Sequence, residues 1–126
     1  MITGIGTDLM EVGRIQKAIE QEFGLRENLF TETEIAYCEG MKNKFQHYAA
    51  RYAAKESLLK ALGTGWRNGI KFLDIEIYND KLGNPFIRLT GIAAEMIKSE
   101  NINQIHVSLS HTNDMAMATV ILEKAE

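Results

Sequence analysis

From about residue 44 to residue 62 the chain reads as one long helix, and the rest must be arranged around it. The run Arg51-Tyr52-Ala53-Ala54-Lys55-Glu56-Ser57-Leu58-Leu59-Lys60-Ala61-Leu62 is rich in Ala, Leu, Lys and Glu. These residues lose little rotamer freedom on entering a helix. Gly63-Thr64-Gly65 then stops it, because glycine takes the positive φ that closes a helix. Tyr48, Ala49, Tyr52, Ala53, Leu59 and Leu62 supply the expected buried stripe. Glu56 and Lys60, four apart, share one face. They read either as an ordinary surface ion pair or as a metal-holding carboxylate beside a phosphate-touching ammonium. The helix alone does not decide between these.

What flanks the helix is mainly strand. Residues 2–9 are short and β-branched, with glycines at 4 and 6. Glycine weakens a strand unless something approaches its backbone closely. Asp8 falls at the expected strand end, either as an N-cap for the next helix or as a ligand for a hard cation. Residues 11–23 place Val12, Ile15, Ile19 and Phe23 at helical spacing, with Gly24 as the stop. Thr31 and Glu34 form a capping box for a helix of about 31–40. Residues 64–71 form a glycine-rich loop that could meet an anion. Residues 72–78 alternate as a strand with Leu73, Ile75 and Ile77 on one face. A hairpin loop leads to a second strand opened by Pro85. Thr90 heads a helix of about 91–100. Residues 104–110 and 115–122 form a last hairpin around His111-Thr112-Asn113-Asp114.

This order predicts an α+β protein: a small antiparallel sheet packed against the long central helix. At 126 residues, residues 1–126 are read as one domain. Hydrophobic content of 45% and charged content of 25% fit a soluble globular chain. A net charge of −3 argues against a nucleic-acid surface. Cys38, the one cysteine, excludes an internal disulfide and reads as a free buried thiol in a reducing compartment. No apolar run suits a membrane span or a signal peptide, so the expected location is the cytoplasm. Short strands leave sheet edges to cover, and self-association is one way to cover them.

Three stretches together are informative: Gly4-Ile5-Gly6-Thr7-Asp8-Leu9, then Arg51 through Gly65 with its Lys-Glu-Ser, then His106-Val107-Ser108-Leu109-Ser110-His111-Thr112. In this order and in so short a chain they resemble the holo-acyl-carrier-protein synthases. These are small phosphopantetheinyl transferases of fatty acid biosynthesis. The resemblance implies the 4′-phosphopantetheinyl transferase fold and a magnesium-dependent transfer from coenzyme A to a serine of apo acyl carrier protein. The other product is adenosine 3′,5′-bisphosphate. It also implies a homotrimer with active sites between subunits.

Carried onto this sequence, the resemblance makes Asp8 and Glu56 the Mg²⁺ ligands. Asp8, Glu56 and Lys60 become the catalytic set, with Glu56 or a water it holds as base. Arg51, Lys60, Gly63, Gly65, His111 and Thr112 become the coenzyme A contacts. Arg14, Lys17 and Arg26 are the candidate docking cations for the acidic carrier protein. That patch is diluted by Glu20, Glu22 and Glu27, and Asn28 stands where an arginine is common. Taken without the resemblance, the residues also admit two other readings. One is a Mg²⁺ enzyme acting on a nucleotide pyrophosphate with no protein acceptor. The other is a non-catalytic trimeric binder of coenzyme A or of a carrier protein.

Overall fold

The structure, a computed structural model, describes residues 1–66 and 69–125. Arg67 and Asn68, in the middle of the glycine-rich loop read over 64–71, lie outside the described residues. In chain order the elements are β1 (Ile2–Glu11), α1 (Val12–Gln21), α2 (Leu25–Leu29), α3 (Glu32–Glu39), α4 (Lys44–Leu62), β2 (Ile75–Asn79), β3 (Pro85–Leu89), α5 (Gly91–Ser99), β4 (Ile102–His111) and β5 (Met115–Lys124). A 3₁₀ turn, Phe72–Asp74, precedes β2.

The long helix has the bounds its composition predicts. Gly63 closes it in the left-handed region at φ 76°, with its N–H on the carbonyls of Leu59 and Lys60. The expected capping box also forms: Glu34 N–H donates to Thr31 Oγ1, and Thr31 N–H to Glu34 Oε1. The strands differ from expectation in one respect. They make two sheets rather than one, a three-stranded antiparallel sheet in the order β1-β5-β4 and a separate β2-β3 hairpin.

β1 outruns its expected end because β5 pairs with it as far as Glu11. Asp8 therefore lies inside the strand, opposite Ala118. It does not cap α1, whose N-cap is Glu11. Helix α1 is shorter than expected and ends at Gln21, so Phe23 leaves the apolar stripe and stands fully exposed. Gly24 does not close α1. At φ 81° it opens α2, a short helix with no strong sequence signal. Leu73 turns outward in the 3₁₀ turn, while Ile75 and Ile77 are buried. Thr90 precedes α5 but makes no side-chain cap bond.

α4 lies across the inner face of the three-stranded sheet. Ala49, Ala53, Leu58 and Leu59 meet Ala116, Ala118, Val120 and Leu122, all buried. Burying each of the larger aliphatic side chains contributes roughly 1.5–3 kcal/mol. Small residues on both faces let the helix come close, and the glycines of β1 let it come closer still. A Cβ on Gly6 would sit 2.0 Å from the Ser57 carbonyl oxygen, and one on Gly4 2.1 Å from that of Ala61. The close approach that the two glycines imply is made by α4 itself.

On its other side α4 carries a buried charge. Lys55 Nζ is fully enclosed and donates to Glu34 Oε1 at 2.7 Å, to Leu29 O at 2.6 Å and to Phe72 O at 3.1 Å. Glu34 Oε2 accepts the Ile77 N–H at 2.9 Å. Burial pushes the Lys55 ammonium below the usual lysine range, and Glu34 works against that shift. The pair ties α2, α3, β2 and the 3₁₀ turn to α4. Lys55→Met, which leaves the Glu34 carboxylate buried and unpaired, should cost about 3–5 kcal/mol. The urea midpoint measures this, read at an unchanged slope. The double variant Glu34→Gln/Lys55→Met should recover much of the loss. A single-variant cost under about 1 kcal/mol would mean the pair holds nothing together.

Cys38 is buried as expected, and its thiol is pushed up to about 12 by burial. Among the described residues no helix is long and apolar enough to cross a membrane.

Candidate active site

Asp8 and Glu56 reach one place from two elements. Alternation along β1 sends the Asp8 side chain to the same face as Gly6, toward α4. Both carboxylates line a cavity of about 500 Å³ between β1, α1 and α4, walled also by Arg14, Tyr52 and Phe72. Lys60, one turn beyond Glu56, reaches back to β1. Its Nζ donates to Asp8 Oδ1 at 3.0 Å and to the Thr7 carbonyl at 2.9 Å. The surface pair between Glu56 and Lys60 does not form. Lys60 joins Asp8, and Glu56 Oε1 instead accepts the Trp66 indole N–H at 3.0 Å.

Asp8 and Glu56, facing one open cavity that Glu22 also lines, suit a hard divalent cation. Mg²⁺ takes one or two protein carboxylates and fills its octahedron with substrate oxygens and water. Among the described residues no cluster of three or more His, Cys, Asp or Glu is present, so this donor set is the sparse kind that leaves room for phosphate oxygens. Lys60 adds a point charge beside Asp8, with its side chain 55% exposed.

The remaining expected contacts lie elsewhere on the chain. Arg51 and His111 line a different cavity of about 170 Å³, with Tyr37, His47 and Asn79. Arg51 is buried. It stacks 4.2 Å from the Tyr37 ring centre and donates to Asn79 Oδ1, while its Nε has no partner. The His47 and His111 rings meet edge to face at 5.2 Å. Burial first, then Arg51 and His111, hold the His47 imidazolium below the usual histidine range. Thr112 organises the β4–β5 turn: its Oγ1 accepts the N–H groups of Asp114 and Met115. Gly63 and Gly65 both take positive φ just past α4. Ser57 donates to the Ala118 carbonyl of β5 at 3.1 Å.

Of the docking cations, Arg14 and Lys17 are exposed on α1. Arg26 is held by Glu27 and Glu39, each at 3.3 Å. Sequence reasoning missed His47, Tyr52 and Trp66 near the two cavities. Tyr52 was read only as core, and Trp66 only as a loop residue.

The fold is that of a phosphopantetheinyl transferase: residues 4–120 match the family model described as the 4′-phosphopantetheinyl transferase superfamily. Within it the similarities are narrower. The chain is 45% identical over 125 residues to a holo-[acyl-carrier-protein] synthase of Geotalea daltonii, covering 98% of this chain and 100% of that one. It is 47% identical over 123 residues to the synthase of Clostridium tetani, covering 98% and 97%. The crystal structure of the Bacillus anthracis synthase in complex with CoA (3′,5′-ADP) superposes with a TM-score of 0.82 at 35% identity, covering 99% of both chains. The chain belongs to the holo-[acyl-carrier-protein] synthase family.

Proposed function

We propose that this chain, acting as one domain, transfers the 4′-phosphopantetheine arm of coenzyme A to a serine hydroxyl of apo acyl carrier protein. Adenosine 3′,5′-bisphosphate is released, and Mg²⁺ is the cofactor. The observation that carries the reading is the convergence of Asp8 and Glu56 on one cavity, with the Lys60 ammonium on the Asp8 carboxylate, in a family fold. The serine oxygen bonds to the phosphorus on the pantetheine side of the pyrophosphate. The bond from that phosphorus to the bridging oxygen breaks, and the bisphosphate leaves with the electron pair.

Such a transfer is mainly a matter of positioning and charge neutralisation. Asp8 and Glu56 would hold Mg²⁺, which neutralises charge on the phosphate oxygens. Lys60, free to swing from Asp8, meets the phosphate. Glu56, directly or through a water it holds, takes the serine proton.

Coenzyme A contacts are assigned to Lys60, Gly63 and Gly65 on one side and to Arg51, His111 and Thr112 on the other. The unpartnered Arg51 Nε in its own cavity supports an anionic ligand there. On a single chain Arg51 and His111 line a cavity apart from the one that Asp8 and Glu56 share, which favours a homotrimer whose neighbours complete each site. The outer face of the three-stranded sheet supports the same reading. It carries Ile5, Leu9 and Met117 at 66%, 63% and 43% exposure, with Thr7, Thr119 and Ser108 among them. That face, largely apolar between Glu11 at one end and the His106–Glu123 pair at the other, is what self-association would cover, more than the strand edges. The carrier protein docks on Arg14 and Lys17, with Arg26 contributing less because Glu27 and Glu39 already engage it. The work is cytoplasmic, in keeping with a free buried thiol.

The test is an intact-mass measurement. With apo carrier protein, coenzyme A and Mg²⁺, the carrier should gain the mass of one phosphopantetheine arm. No gain with any apo carrier protein from the same cell would sink the transferase reading. Light scattering at three times the chain mass would support the trimer, and a monomer mass would end it.

A further inference from the structure

The Glu56 carboxylate is held by the loop that follows its own helix. Trp66 Nε1 donates to Glu56 Oε1 at 3.0 Å. The indole stacks on Phe72 at 3.8 Å between ring centres, and Phe72 stacks on Tyr52 at 5.5 Å. The backbone of Phe72 is itself gripped, since its carbonyl accepts the buried Lys55 ammonium. A continuous path thus runs from the Glu34–Lys55 pair, through Phe72 and the Trp66 ring, to one oxygen of Glu56. Tyr52 and Phe72 also wall the cavity that Glu56 shares with Asp8.

We propose that Trp66 is a positioning residue for Glu56. Its N–H fixes one carboxylate oxygen, the Tyr52 hydroxyl engages the same carboxylate, and the remaining lone pairs are aimed at the cation and the acceptor. A carboxylate at the end of three rotatable bonds loses this aim if its neighbour only packs. A partner that donates to a metal-binding carboxylate orients it, and losing such a partner typically lowers metal affinity about 10–100-fold. This inference rests on the assignment of Glu56 as a metal ligand.

Trp66 is the one tryptophan of the chain, so replacing tryptophan during expression changes this site alone. Benzothienylalanine keeps the bicyclic shape and the stack on Phe72 but puts sulfur where the N–H was. The probe is Mn²⁺, added to protein with coenzyme A bound and no acceptor, and bound metal is read from loss of the free-ion electron paramagnetic resonance signal. Trp66→Phe and the benzothienylalanine protein should both bind Mn²⁺ about tenfold more weakly than the wild type. The benzothienylalanine protein should also keep the wild-type melting temperature. In ¹⁵N-labelled wild-type protein the single indole cross-peak should broaden as Mn²⁺ binds, and it should move in Glu56→Ala.

If the benzothienylalanine protein binds Mn²⁺ as the wild type does while Glu56→Ala does not, the indole only packs the loop and the inference fails alone. If Glu56→Ala itself binds Mn²⁺ normally, the metal assignment fails and takes the inference with it. An indole cross-peak that ignores both Mn²⁺ and Glu56→Ala would likewise overturn the proposal.

Discussion

Asp8→Ala and Glu56→Ala should each reduce phosphopantetheine transfer about a hundred- to a thousandfold, the scale on which removing one electrostatic stabiliser of a transition state acts. Each should nonetheless leave the protein folded. Asp8 makes one side-chain ion pair, with Lys60, whose side chain is more than half exposed. An exposed pair of that kind is worth about 0–1 kcal/mol. The two carboxylates also face one cavity, so removing either relieves a like-charge repulsion. The melting temperature should therefore stay within about 5 °C of the wild type. Intact-mass assays of the carrier protein, run beside a thermal melt, check both halves. A variant that keeps more than a tenth of the transfer rate would remove its residue from the metal site. A variant that loses activity by unfolding would say nothing for catalysis, which is why the melt belongs in the experiment.

Much of the architecture was legible because it is local. The bounds of α4 follow from a run of good helix formers and a glycine stop, and the capping box at Thr31 and Glu34 is a pattern of four residues. What escaped is tertiary. Nothing near Lys55 in sequence distinguishes it from the exposed lysines of other helices, yet it is fully enclosed because Glu34 arrives from α3. Glu34 was read for its cap, which uses one oxygen. The other oxygen serves β2. Asp8 was expected at a strand end because the β-branched run stops there, whereas β5 carries the pairing past it and the open cavity supplies the solvent.

The candidate site was legible in its residue types and not in its pairing. Spacing puts Glu56 and Lys60 on one face, and each in fact turns to a group outside the helix. Lys60 finds Asp8, and Glu56 finds Trp66. A sequence with a Glu and a Lys four apart carries no trace of whether a strand passes close enough to compete for the ammonium. The two glycines of β1 did carry that trace, since they say that something large passes there, without saying what.

Gly6→Ala tests that approach directly, and its expected effect is large in both stability and activity. The added Cβ would lie 2.0 Å from the Ser57 carbonyl oxygen and 2.7 Å from the Ala61 nitrogen. Both are backbone atoms of α4, so no side chain can swing aside. Either the helix lifts off the sheet or β1 shifts, and the inner face on which Ala53 and Leu58 are buried opens. Overpacking of a rigid core typically costs about 1–3 kcal/mol and occasionally more, and a clash between two backbones belongs at the upper end. Gly13→Ala is the matched control. A Cβ there meets nothing within 4 Å inside a helical segment, so it should stabilise by up to about 1 kcal/mol. Urea midpoints separate the two glycines.

The site gives the sharper reading. Asp8 lies two residues after Gly6 on the same face of β1, so moving the strand moves Asp8 away from Lys60 and Glu56. Transfer by Gly6→Ala, measured at low temperature and divided by the folded fraction, should therefore fall at least tenfold, the order that an ångström-scale misplacement of a catalytic group can exceed. Wild-type turnover per folded molecule would mean that the contact between β1 and α4 holds the fold together without setting the distance between the two carboxylates.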